Sequence, residues 1–300
     1  MKLTMILILG ICAIYGLHPS DSSESLINGK DKIVMFWNIE NFFEPYSTNA
    51  HNTWTGKRFY SKCDGISKTI MLVADKFGRL PDVICLAEVE NRSVLNKLLR
   101  STLLRKLGYT IIHYDSPDHR GIDCAILYHD STMNLIKSSP KHLYDSSEVI
   151  IPTRDILIAQ FDSLAVMVNH HPSKVGNGKS SGRAIAMKRM NSLADSLLHA
   201  GTHAVLSVGD FNDHIWNTQA LSAFGNTAPG TIKYNGEWEK IDGYFLFGNI
   251  GVREYVFDSP LLLEKDKKFG GSKPRRTFIG PRYNGGISDH LPVIFIISQE

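Results

Sequence analysis

The stretch Ala204-Val-Leu-Ser-Val-Gly-Asp-Phe-Asn-Asp213 decides how the chain is to be read. Ala204 to Val208 is a short, mostly apolar run of strand length, and it passes directly into Gly209, Asp210, Asn212 and Asp213. A run of this kind reads as a buried strand. Polar groups at its end are either satisfied turn residues or the working part of a site.

The same pattern recurs outward in both directions. Ile33-Val-Met-Phe-Trp37 runs into Asn38 and Glu40, and Val83-Ile-Cys-Leu-Ala87 into Glu88. Ala165-Val-Met-Val168 runs into Asn169, His170 and His171. Lys240-Ile-Asp242 opens one strand, and Ser288-Asp-His290 precedes another at Val293 to Ile297. One such strand end carries little weight. Six on one chain point to a convergent pocket of oxygen ligands and imidazoles.

Further strand-length runs lie at Cys124–Tyr128, Ile156–Phe161 and Gly243–Phe247. Helical spacing of apolar residues appears over Ser67–Phe77, Arg92–Leu107 and Arg183–His199. In the last of these Ile185, Met187, Met190, Leu193, Ala194 and Leu197 are expected to line one face. The chain reads as α+β, with two mixed β-sheets packed face to face and helices outside. On such a scaffold the polar strand ends open at one edge.

Composition sets broad bounds. With 300 residues, 43% of them apolar and 21% charged, the chain is an ordinary globular protein able to bury a core without staples. A net charge of +3 is too weak to argue for nucleic acid by itself. Cys63, Cys85 and Cys124 are widely spaced and show no metal-ligand pairing. Cys85 and Cys124 read as buried small hydrophobes.

The first residues read as an export signal: Met1-Lys2, then an apolar run from Thr4 to Tyr15 too short to span a bilayer. The expected division is a signal peptide over 1–20, with cleavage near Gly16, a flexible linker over 21–30 and a single domain over 31–300. Cys12 admits a lipoprotein reading, against which the bulky Ile11 before it argues. The expectation is an exported monomer with no stable membrane insertion.

Hard oxygen donors such as Asn38, Glu88 and Asp289 suit Mg2+ or Mn2+, with Ca2+ a third choice. Phosphoester cleavage needs charge neutralised on the phosphate, an activated water and a protonated leaving group. His290 with Asp242, and His170 with a strand-borne acid such as Asp123, are the imidazole–carboxylate pairs expected to help.

Seven segments resemble, in order, the motif set of the endonuclease/exonuclease/phosphatase superfamily, which includes deoxyribonuclease I, inositol-polyphosphate phosphatases and neutral sphingomyelinases. They are Phe36-Trp-Asn-Ile-Glu-Asn-Phe42, Leu86-Ala-Glu-Val-Glu-Asn91, Arg120-Gly-Ile-Asp-Cys-Ala-Ile-Leu-Tyr128, Val168-Asn-His-His-Pro-Ser173, Val208-Gly-Asp-Phe-Asn-Asp213, Lys240-Ile-Asp-Gly-Tyr244 and Gly286-Ile-Ser-Asp-His-Leu-Pro292. Trp54 to Lys62 also resembles uncharacterised exported bacterial members. The resemblance implies a four-layer α/β/β/α sandwich and a metal-dependent phosphate-ester hydrolase.

By the same resemblance, Asn38 and Glu88 bind the metal with Asp289 close by. Asp210 orients or activates water, and Asn212 holds a phosphate oxygen. Asp242 orients His290 on the scissile phosphate, and His170 is a second acid/base or phosphate contact. Arg154 and Arg183 are candidate phosphate or substrate contacts. His171, where many relatives carry an aromatic residue, leaves open which imidazole faces the pocket.

Bland readings stand beside these. Trp54, Lys57, Arg58 and Lys62 form either a substrate-contacting segment or a charged face with Trp54 packed inward, and Lys265–Lys268 and Arg275-Arg276 read as exposed charge runs. The substrate expected first is a phosphodiester, DNA or RNA included. A phosphomonoester, an inositol phosphate or a phospholipid headgroup is the alternative. A silent binding module is the third reading, disfavoured because none of the principal residues is replaced.

Overall fold

The computed structural model describes residues 27, 29–162, 164–173, 179–214 and 228–298. The expected signal peptide, Cys12 and most of the expected linker lie outside the described residues. Among the described residues no helix is long and apolar enough to cross a membrane.

Among the described residues, eleven strands make two sheets: β1 (Lys32–Phe42), β2 (Val83–Val89), β3 (Tyr109–His113), β4 (Asp123–His129), β5 (Leu135–Lys141), β6 (Ile156–Phe161), β7 (Ala165–His170), β8 (Ala204–Asp210), β9 (Asp242–Gly248), β10 (Gly251–Val256) and β11 (Val293–Ser298). The first sheet has the order β10-β11-β1-β2-β4-β3 and the second β9-β8-β7-β6-β5. Three helices accompany them: α1 (Gly56–Phe77), α2 (Arg92–Ser101) and α3 (Lys179–His199).

The layering follows from strand alternation. In β1, Ile33, Met35, Trp37 and Ile39 pack with α1 and α2, while Val34 and Phe36 enter the layer between the sheets. In β7 and β8, Val166, Val168, Leu206 and Val208 enter that same layer. Ala165, Met167 and Val205 face α3 instead, against Ala186, Met190 and Ala194. Two sheets with helices outside, as expected from the pattern of runs, are the result. On α3 the fully buried stripe is Ala186, Met190 and Ala194, and Ile185 lies off it.

All eight expected strands form. The sequence reading missed β3, β5 and β10. Strand β5 (LIKSSPK) has no fully buried residue and lies at a sheet edge, so it lacks the apolar signature of a core strand. The helical pattern expected to reach Leu107 ends at Ser101, and a 3-10 turn over Leu103–Lys106 follows. Cys63, Cys85 and Cys124 are free and buried.

The topology also sets the active edge. β1 pairs parallel with β2, and β7 with β8, so their C-termini point one way. β9 runs antiparallel to β8 with Asp242 opposite Asp210, and β11 runs antiparallel to β1 with Val293 opposite Phe36. The starts of these two strands therefore join the ends of the other four. At that edge Gly209 lies opposite Asn169, and an added Cβ would fall 2.5 Å from the Asn169 carbonyl oxygen and 2.7 Å from its Cβ. Gly209→Ala is expected to cost about 1–3 kcal/mol through backbone displacement, seen as a lower urea midpoint with an unchanged slope.

Candidate active site

Alternation also aims the site residues. Asn38 continues the parity of Val34 and Phe36, Asp210 that of Leu206 and Val208, and His170 that of Val166 and Val168. All three therefore point toward the gap between the sheets. Asp242 shares parity with Tyr244 and Leu246, which pack into the same layer. Glu88 breaks the rule, since its parity with Ile84 and Leu86 would turn it toward the helices. It has φ +64, and the ladders that β2 makes with β4 and β1 shift register here. This irregularity returns the carboxylate to the site side, as bulges next to sites commonly do.

The contacts form one connected chain. His170 Nε2 lies 3.8 Å from Glu88 Oε1 and 3.7 Å from Asp210 Oδ2. Asn38 Nδ2 donates to Asp210 Oδ2 at 3.1 Å. His290 Nε2 lies 3.9 Å from Asp210 Oδ2 and 4.0 Å from Asp289 Oδ1, and its Nδ1 is 2.9 Å from Asp242 Oδ2. The loop carrying His290 is strapped to β1: Ser288 Oγ donates to the Asn38 carbonyl at 2.6 Å, and Trp37 Nε1 donates to the His290 carbonyl at 2.9 Å. Asn212, with φ +50, donates its backbone N–H to Asp210 Oδ1 at 3.0 Å and its side-chain amide to the His171 carbonyl at 3.0 Å.

The surroundings drive the two imidazoles in opposite directions. Burial disfavours an imidazolium at His290, but Asp242, helped by Asp210 and Asp289, outweighs it and holds the group well above its ordinary range. At His170, burial and then the nearby Arg154 and Arg120 guanidiniums hold the group well below that range. Burial, with Asp242 beside it, pushes the Asp210 carboxyl up to about 7. His171 does not face the cleft. Its ring packs edge-on against Phe211 at 5.0 Å, on the α3 side, and burial lowers it to about 3.

Asp123 is not the partner of His170. In β4 it lies on the face of Ala125 and Leu127, away from the gap, and there it meets His113 Nε2 at 3.2 Å. His170 Nδ1 has no hydrogen-bond partner among the described residues. Arg154 is buried, donating to Asp118 Oδ1 at 3.2 Å and to the His171 carbonyl at 2.8 Å, so it braces the β7 end rather than reaching outward. Arg183 lies 3.6 Å from Asp213, beyond the connected chain. Trp54 packs inward against Phe278, with the buried Lys62 ammonium 5.2 Å from its ring.

Three residues escaped the sequence reading. Arg120 Nη2 lies 3.0 Å from Asn41 Oδ1 and 3.5 Å from Glu88 Oε1 at the rim. Glu40, with φ +47, is buried and pushed up to about 7 by burial and by Asp289. Arg276, expected on an exposed charge run, reaches Glu40 Oε1 at 3.3 Å and Asp289 Oδ2 at 2.7 Å. The signal available was that Arg120 and Glu40 sit inside the quoted motif segments. Lys62 meanwhile hydrogen-bonds the Glu40 carbonyl and, at 2.8 Å, Thr277 Oγ1.

The donor set offers hard oxygens that could hold a divalent cation. Asp210, Asp242 and His290 offer atoms within 4.8 Å of one another, but His290 Nδ1 is already spent on Asp242, which makes that pair an orienting dyad. Glu88 Oε1 has only long contacts, to Arg120 and His170, and Asp289 Oδ1 faces His290 at 4.0 Å. These are under-used hard oxygens, the kind Mg2+ takes. Asn38 Oδ1 accepts from the Glu40 N–H at 3.0 Å and keeps a second lone pair.

A sequence profile of the Endonuclease/Exonuclease/phosphatase family matches residues 33–239 and 218–299. The chain belongs to this family. No match was found among curated protein sequences. Among solved structures, this family member resembles TDP2 from C. elegans (16% identity over 97% of this chain and 84% of that one, TM-score 0.57). It also resembles the human Nocturnin catalytic domain with bound sulfate anion (18% identity over 91% and 96%, TM-score 0.56). A third likeness is to D. rerio TDP2 complexed with single strand DNA product (16% identity over 90% and 99%, TM-score 0.53). At these identities the likeness supports the family fold. Asp242→Asn removes the carboxylate holding up His290. NMR titration of the metal-free protein is expected to show the His290 pKa lower than in the wild type, and turnover is expected to fall by about 10²-fold or more.

Proposed function

We propose that the protein is an exported, divalent-metal-dependent phosphodiesterase that cuts nucleic acid by in-line attack of water. The observation carrying this reading is the connected set Glu88–His170–Asp210–His290–Asp242, in which the Asp210 carboxylate lies between two imidazoles that their surroundings drive in opposite directions. Paired groups driven to opposite protonation states are what acid–base chemistry at neutral pH requires.

In this reading Glu88, Asn38 and Asp289 hold the cation, with Mg2+ or Mn2+ suited to oxygen donors. When bound, the cation neutralises phosphate charge and acidifies water. Asp210, raised to about 7, takes the proton of the attacking water, and Asn38 fixes its carboxylate. His290 contacts a phosphate oxygen as an imidazolium, its charge balanced by Asp242. His170, neutral, and Asn212 line the same phosphate. Arg120, at the rim beside Glu88, is the guanidinium placed to meet the substrate, in place of Arg154.

Two relatives support a phosphate-ester substrate. Nocturnin was crystallised with sulfate, a tetrahedral oxyanion, and D. rerio TDP2 with a single-stranded DNA product. Export rests on the apolar Thr4–Tyr15 run behind Lys2. A phosphomonoesterase or lipid-headgroup hydrolase is the alternative on the same residues.

Bis(p-nitrophenyl) phosphate, p-nitrophenyl phosphate, oligonucleotides and phospholipid vesicles assayed side by side separate these readings. Hydrolysis of the diesters alone is expected. Faster turnover of the monoester would favour the alternative. Glu88→Ala and His290→Ala are each expected to lower diester turnover by about 10²-fold or more with native circular dichroism. Dialysis against EDTA is expected to abolish activity and Mg2+ or Mn2+ to restore it, and undiminished turnover after dialysis would reject metal dependence.

A further inference from the structure

We infer that the outer surface of α2 is an exosite that holds a single-stranded nucleic acid leading away from the scissile phosphate. The inference rests on the nucleic-acid reading above. Its basis is a local concentration of cations that the near-neutral net charge conceals.

Two shallow depressions of about 510 and 350 Å³ flank α2. Arg92, Asn96 and Arg100 line both, so the ridge they form at i, i+4 and i+8 stands between them. Lys97 and Tyr60 join the first depression and Arg105 the second, and no carboxylate lines either among the described residues. Arg100 and Arg105 are exposed and have no ion-pair partner among the described residues, whereas Lys97 is held by Glu44 at 2.8 Å. Tyr60 is 45% exposed and braced edge-on by Phe59 at 5.2 Å. Cations that track phosphates beside an exposed ring on which a base can stack are the elements of single-strand binding.

Position joins this surface to the site. Arg92 follows Glu88 by four residues, and Asn91 caps α2 by accepting the Val94 N–H at 3.1 Å. Glu90, in the same connection, accepts the N–H of Glu44 at 2.6 Å, and Glu44 holds Lys97. The N-terminal end of the ridge, at Arg92, is thus tethered to Glu88 by a connection of three residues. From Arg92 to Arg100 the ridge runs ~12 Å along the helix axis. A phosphodiester strand is the polyanion that combines regularly spaced charge with stacking bases. A free phosphate or an anionic lipid surface offers only the charge.

The test is the Arg100→Ala/Arg105→Ala double variant of the full chain, assayed with Mg2+ on a long single-stranded oligonucleotide and on bis(p-nitrophenyl) phosphate. Expected are a KM for the oligonucleotide raised about tenfold with kcat unchanged, and a salt dependence of log KM shallower by about 0.7 for each phosphate that is no longer neutralised. Turnover of the small diester and the melting temperature should match the wild type. If the wild type cuts the oligonucleotide and the variant keeps its KM and salt slope, the exosite is overturned while the nucleic-acid reading stands. If the wild type hydrolyses the small diester but neither binds nor cuts any oligonucleotide, both are overturned. Loss of binding to phosphatidylglycerol vesicles in place of oligonucleotides would also overturn the exosite.

Discussion

The hydrogen bond from Asn38 to Asp210, 3.1 Å long, joins the end of a strand in one sheet to the end of a strand in the other. His290 with Asp242 and His170 with Glu88 make the same crossing. All three lie where the dry layer of Val34, Phe36, Val166, Val168, Leu206 and Val208 stops. The apolar layer holds the sheets in register, and Asn38, His170 and Asp210 meet beyond it on regular strand alternation, with only Glu88 needing a left-handed backbone to join them. Side chains held this way are preorganised by the core.

Burial then sets the electrostatics. His170 and His290 are both enclosed, but at His170 the charges of Arg154 and Arg120 add to burial in lowering the imidazole, whereas at His290 Asp242, Asp210 and Asp289 outweigh burial and raise it. Around the outer side, Lys62 and Arg276 offset the acids Glu40 and Asp289. Lys62 ties the left-handed turn at Glu40 to Thr277, which fixes the strand end that bears Asn38. A buried ammonium with hydrogen-bond partners is tolerable where an unpaired one would not be.

Much of this was legible in the chain alone. Period-two alternation from Leu206 and Val208 points Asp210 into the gap, whereas the choice between His170 and His171 stays open until the packing of His171 against Phe211 decides it. Other points were not. The alternation in β2 would send Glu88 to the helix side, and only its left-handed backbone and the shifted register bring it back. Asp123 looks like a strand-borne acid for His170, but its face of β4 is the outer one. Arg154, expected at the phosphate, is instead buried and spent on Asp118, while Arg276, exposed as expected, also reaches Asp289. Long side chains travel several ångströms from their Cα, so sequence position says little about where a guanidinium ends.

The order of apolar runs and polar strand ends determined, by itself, two sheets with a cleft at one edge and most of the groups that occupy it. This holds because alternation and burial are local consequences of strand geometry. Only the tertiary structure decided that Asp123 turns away from His170, where Glu88 points, and that Arg276 meets Asp289. Those depend on distances between segments far apart in the chain, and on one irregular residue whose dihedral is set by everything packed around it.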